Sequence, residues 1–88
     1  MKRQNKAAAL KYDDKYDAPI VTAAGIGLVA DRIIEKAKEN DVPIVYNEEL
    51  ANLLNNVGVG EAIPDELYTA VAEVIAFVMG VDKKMDRR

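Results

Sequence analysis

"IVTAAGIGLVADRI", residues 20–33, runs from an apolar stretch through two glycines into a segment of helical periodicity. A strand over Ile20 to Ala23, a tight turn at Gly25 and Gly27 and a helix beyond them make the chain α/β. Gly25, Gly27 and Ala30 also fit the spacing G-x-G-x-x-G/A, which in dinucleotide-binding domains seats a pyrophosphate on a helix N-terminus. Glu48 lies about 20 residues further on, where such a site wants an acid for the ribose. The same residues equally suit a bare strand-to-helix crossover, which needs small side chains to turn sharply and to bring the helix close to the sheet.

Size and composition narrow the choice. The chain has 88 residues, enough for one core but not for the strands of a full dinucleotide-binding sheet. Half of the residues are hydrophobic and 31% are charged, the balance of a globular chain. No apolar run approaches the ~18 residues of a membrane span, and the basic start "MKRQNK" is followed by too few apolar residues for a signal peptide. A cytoplasmic protein that is not embedded in a membrane is expected. Cysteine and histidine are both absent, which removes disulfides, thiolate chemistry and the commonest general base.

The charge is segregated. Residues 1–6 form a basic extension, 7–81 a single domain and 82–88 a charged tail. Residues 7 to 81 carry five basic against thirteen acidic side chains. Such a body repels phosphate and argues against nucleic acid as a partner. Asp13, Asp14 and Asp17 lack the glycine and terminal glutamate of a calcium loop and read as a solvated turn. No carboxylate pair is flanked by apolar residues that would raise a pKa for acid–base work. Neither a metal, a cofactor nor an enzymatic activity is expected.

Three helices follow from periodicity. Residues 27–40 place Val29, Ala30, Ile33, Ile34 and Ala37 on one face, and "NDVP" ends the helix near Asn40. "PIVY" then suggests a short strand at Ile44 to Tyr46. Asn47 suits the cap of a second helix whose buried stripe is Leu50, Leu53, Leu54 and Val57, ending at Gly58; this gives Glu48 a structural role at the helix's positive end. The third helix begins near Pro64 and stops at Gly80, with Leu67, Val71, Val74 and Val78 facing the core. Tyr68, Ala72, Ile75 and Met79 form a second apolar stripe beside the first, which either packs in the core or presents a groove. "KAAALKY", residues 6–12, is helical by propensity, although the turn-like "DDKYDAP" after it leaves a strand open.

In this order and spacing, "ALKYD", "APIV", "GIGLVADRI", "AKENDVPIV", "ELANLL", "VGVGEAIPDELY" and "AVAEVIAFV" resemble the soluble C-terminal domain of the FlhB export-switch family of flagellar type III secretion, shared with its injectisome counterparts. The similarity spans about residues 6 to 79. It implies a small mixed β-sheet of about three strands packed by three to four helices, makes "KAAALKY" a strand, and leaves the Gly25 to Gly27 turn without a nucleotide. Family members carry Asn-Pro-Thr-His before that strand and cleave themselves there. Lys2, Arg3, Gln4 and Asn5 stand at those positions, so self-cleavage is not expected. In the family a strand precedes the motif and pairs with the one that follows it, so the resemblance implies that the edge of Ala7 to Tyr12 lacks this neighbour and either recruits a strand, for instance in a homodimer, or is covered by a charged end.

The resemblance further implies a shallow pocket for short apolar segments of rod and hook-type export substrates, at Ala18, Pro19, Ala72 and Ile75. The function expected is therefore a non-enzymatic protein-binding module of flagellar export. It would dock substrates or replace the soluble domain of the export switch beside export-gate components. The alternative is an interaction protein that has left secretion and uses its exposed sheet edge.

Overall fold

The structure, a computed structural model, describes residues 5–13, 15 and 17–80. Lys2, Arg3 and Gln4 of the basic extension, Asp14 and the tail 82–88 lie outside the described residues. Two strands, β1 (Lys6–Lys11) and β2 (Ile20–Ile26), precede three helices, α1 (Leu28–Glu39), α2 (Glu48–Leu54) and α3 (Tyr68–Met79). A single 3-10 turn, Asp65–Leu67, leads into α3.

β1 and β2 pair antiparallel, from Lys6 opposite Ile26 to Lys11 opposite Ile20. "KAAALK" is thus a strand against its alanine-rich propensity, because tertiary contacts decide such short segments. The register slips between Ala9 and Leu10, so that Thr22 is an extra residue on β2. This bulge matters because side chains alternate with a period of two. Without it, Val21 would leave the face that carries Ala24 and the exposed Thr22 would take its place. With it, Ala8, Leu10, Val21 and Ala24 all meet one core.

That core lies between the sheet and helices α2 and α3. Val21 and Val71 are fully buried at its centre, joined by Ala18, Leu50, Leu54, Ile63 and Leu67. The opposite face of the sheet is built from Ala7 and Gly25, small enough for α1 to lie directly on it with Ala30 buried beneath. A Cβ on Gly25 would overlap Val29 Cγ1 and stand 2.7 Å from Val29 Cβ and 3.2 Å from its backbone carbon. Gly25 is therefore a packing residue.

The third strand is not where the sequence suggested. Among the described residues the sheet has two strands and only antiparallel pairing, not the mixed sheet of about three. Ile44 to Tyr46 form no ladder, because no strand lies beside them. The free edge of β2 instead takes residues 60–63: Gly60 N–H donates to the Val21 carbonyl (2.6 Å), Val21 N–H to Glu61 (3.0 Å) and Ile63 N–H to Pro19 (3.0 Å). Ile20 and Ala62 make an antiparallel bridge there.

Helix ends follow local chemistry. α1 closes in a Schellman motif, with Val42 N–H donating to the Ala37 carbonyl (2.9 Å), Asp41 N–H to Lys38 (3.3 Å) and Asn40 as the cap. Asp41 takes the left-handed position, φ 58°, which costs an L-residue about 1 kcal/mol. Asp41→Gly is expected to raise stability by about 0.5–1 kcal/mol, read as a higher midpoint in thermal unfolding. Asn47 Oδ1 accepts from Leu50 N–H (3.0 Å) and caps α2. α2 stops at Leu54 with Asn55 as its cap, short of Gly58, because the Asn55 side chain turns back to the Ala51 carbonyl (3.0 Å) and reaches the Ala7 carbonyl of β1 (3.1 Å). Three stripe residues differ from expectation: Val29, Leu53 and Val78 are exposed.

Candidate docking surface

The turn that opened the nucleotide question is occupied by the fold itself. Gly27 takes a positive φ of 68°, and its N–H donates to the Asn5 carbonyl at 2.7 Å, extending the β1–β2 ladder. Asp31 stands in the first turn of α1 and accepts from Asn5 Nδ2 at 2.9 Å. Its negative charge lies near the positive end of the helix and disfavours a phosphate there. Glu48 heads α2, where its charge suits that helix's own dipole. Each residue of the apparent fingerprint has a structural task.

The Asp13 turn is likewise local. Its carboxylate accepts from Lys15 N–H at 3.1 Å, the side-chain-to-backbone closure typical of aspartate in turns.

The four residues of the expected peptide pocket fall on two elements that the fold brings together. The Tyr68 hydroxyl donates to the Asp17 carbonyl at 3.0 Å, pinning the loop before β2 to the start of α3. Ala72 follows Tyr68 by one helical turn on the same face. Ala18 and Pro19 are buried, Ala72 is exposed and Ile75 is half-buried against the core. Ala18 and Pro19 can therefore form only the floor of such a site, with its accessible part on α3. The second apolar stripe is open to solvent at Tyr68, Ala72 and Met79, and Met79 is 67% exposed. Periodicity alone placed this stripe; the exposure distinguishes a surface from core packing.

A second feature lies on the other flank of α3. A groove of about 810 Å³ runs between β1 and residues 42–48, and Val74, Ile75 and Val78 reach it from α3. Ile75 thus borders the groove as well as the stripe. The sequence signalled one wall, the unpaired edge of β1. The other wall was misassigned as a strand because its β-branched residues look like one.

Relatives identify this arrangement. The model of the FlhB HrpN YscU SpaS family matches residues 4–78. The chain belongs to that family. An uncharacterized protein of Bacillus subtilis (strain 168), YlqH, is 42% identical over 84 residues, covering 94% of this chain and 90% of YlqH. The flagellar biosynthetic protein FlhB of Aquifex aeolicus is 46% identical over 81 residues, 90% of this chain but 23% of that protein. The cytoplasmic domain of FlhB from Shewanella putrefaciens superposes with a TM-score of 0.80 at 34% identity, covering 94% of this chain and 69% of that one. This FlhB-family chain therefore spans less than a quarter of the Aquifex relative and nearly all of YlqH. Among its described residues no helix is long and apolar enough to cross a membrane.

Proposed function

We propose that this FlhB-family chain is a non-enzymatic protein-binding module of flagellar type III export, acting in the cytoplasm beside export-gate components. It docks apolar segments of rod and hook-type export substrates or stands in for the soluble domain of the export switch. The observation that carries this reading is the open stripe of α3 beside the loop 17–19, in a domain whose relatives include flagellar biosynthetic proteins. Apolar side chains exposed together on one helix cost free energy in water and mark surfaces used for binding. No self-cleavage accompanies the role, since Lys2 to Asn5 supply none of the Asn-Pro-Thr-His chemistry.

Ala72→Asp tests it. Ala72 is exposed, so the substitution leaves the core intact and changes unfolding by no more than about 0.5 kcal/mol. A carboxylate in the middle of an apolar contact costs at least ~1.4 kcal/mol, a tenfold loss of affinity for the N-terminal segment of a hook-type substrate by calorimetry. Undiminished affinity in the folded variant places the contact elsewhere.

A further inference from the structure

The open stripe of α3 lies in a half of the molecule that carries one sign of charge. Residues 39–80, which supply α2, the segment bonded to the edge of β2 and α3, hold eight acidic side chains and no lysine or arginine. Three of the five basic residues of the body, Arg32, Lys36 and Lys38, are on α1, on the opposite face of the sheet. A sheet and a layer of core side chains lie between the two helices, more than the ~8 Å over which exposed charges act through physiological salt. The basic residues of α1 therefore leave the carboxylates around α3 unneutralised.

Three of these carboxylates border the stripe, and Asp17 joins them. Asp65 and Glu66 belong to the 3-10 turn that leads into Tyr68, and in that geometry Asp65 and Tyr68, three residues apart, lie on one side. Asp17 is in the loop that the Tyr68 hydroxyl holds at 3.0 Å. Glu73 stands about 100° round the helix from Ala72, at the margin of the stripe, and is the one charged residue of α3. All four are exposed. Among the described residues none of their carboxylates has a hydrogen-bond or ion-pair partner. Ala72, with a single methyl, is the low point between Tyr68 and Met79.

We propose that the α3 surface selects by charge: the segment it takes from another protein carries lysine or arginine on both sides of its apolar anchor. This rests on the docking role proposed above and adds a requirement to it. Cations of the segment meet Asp17, Asp65 and Glu66 at one end of the stripe and Glu73 beside its middle, while the anchor covers Ala72. Each exposed pair strengthens binding by no more than about fivefold. An acidic segment is repelled by a similar factor at each position, so the discrimination between the two is the product of gain and loss. A second copy of this chain is a poor occupant, because its α3 face brings the same negative charge. Lys83, Lys84, Arg87 and Arg88 of the chain's own tail lie outside the described residues and make that tail the rival occupant.

The test compares the peptides acetyl-KKALFALKK-amide, acetyl-QQALFALQQ-amide and acetyl-EEALFALEE-amide by amide NMR titration of the full chain, with the N-terminal segment of a hook-type substrate in a parallel tube. The lysine peptide should shift the amides of Tyr68, Ala72 and Glu73 and bind about tenfold more tightly than the glutamate peptide, with the glutamine peptide between them. Raising the salt from about 0.05 to about 0.5 M should remove most of that difference. Glu73→Lys, an exchange of similar helix formers at an exposed site, should narrow the ratio at least about threefold. No shift from the lysine peptide, equal affinity of the three peptides, or a ratio that Glu73→Lys leaves unchanged overturns the charge selection. If the hook-type segment still shifts α3 in any of these cases, the docking surface itself stands; if neither it nor any peptide does, both fall. Salt-dependent movement of the Tyr68 and Ala72 amides in the protein alone, abolished by Lys83→Gln with Lys84→Gln, also overturns the proposal, because the tail is then the occupant.

Discussion

Gly25→Ala is expected to destabilise the domain by about 3 kcal/mol, seen as a large fall in the urea midpoint with little change in slope. For 88 residues the whole stability is on the order of 4–13 kcal/mol, so the loss is a substantial share of it. The cause is the close approach of α1: the new methyl would meet Val29 Cβ and the Val29 backbone, and a helix cannot bend away from one residue without lifting Ala30 off the sheet. Adding Val29→Ala should restore only part of the loss, because the backbone contact at 3.2 Å remains. Were the glycine retained for a nucleotide, Gly25→Ala would leave the free protein as stable as before. That result would return the fingerprint to consideration.

Leu54→Ala should cost a comparable ~3 kcal/mol, within the range seen for fully buried leucines. Leu54 is 4% exposed and shares the core with Val21, Ile63 and Val71. Truncation leaves a cavity between α2 and the sheet that neighbours on three elements cannot collapse together to fill. The adjacent Leu53 is 40% exposed, and Leu53→Ala should change stability by no more than ~0.5 kcal/mol. Similar losses from the two substitutions would mean that α2 is rotated relative to the face described above.

What the sequence disclosed was mostly local. The end of α1 was legible because Asn40 and Pro43 act on their own neighbourhood, and so were the Asn47 cap and the Gly80 stop. The strand character of "KAAALK" was not, since nothing within six alanine-rich residues favours it. It comes from Gly25 and Val21 on the partner strand, and only the family resemblance gave it in advance. The bulge at Thr22 left no local mark either. Ile44 to Tyr46 failed in the opposite sense, with strand-forming residues but no strand to pair with. For the docking surface, helical period identified the stripe through Tyr68, Ala72, Ile75 and Met79. It could not tell that Ile75 lies half under the core while Met79 is open to water, because that depends on where the sheet ends.

The most direct test of the export reading is an amide NMR titration of the intact chain with the N-terminal segment of a hook-type export substrate. The account predicts shifts at Tyr68, Ala72 and Ile75 on α3, with Ala18 and Pro19's neighbours moving less because they form the floor. Absence of any shift at saturating peptide, in a protein whose spectrum is that of the folded domain, would contradict substrate docking as its function.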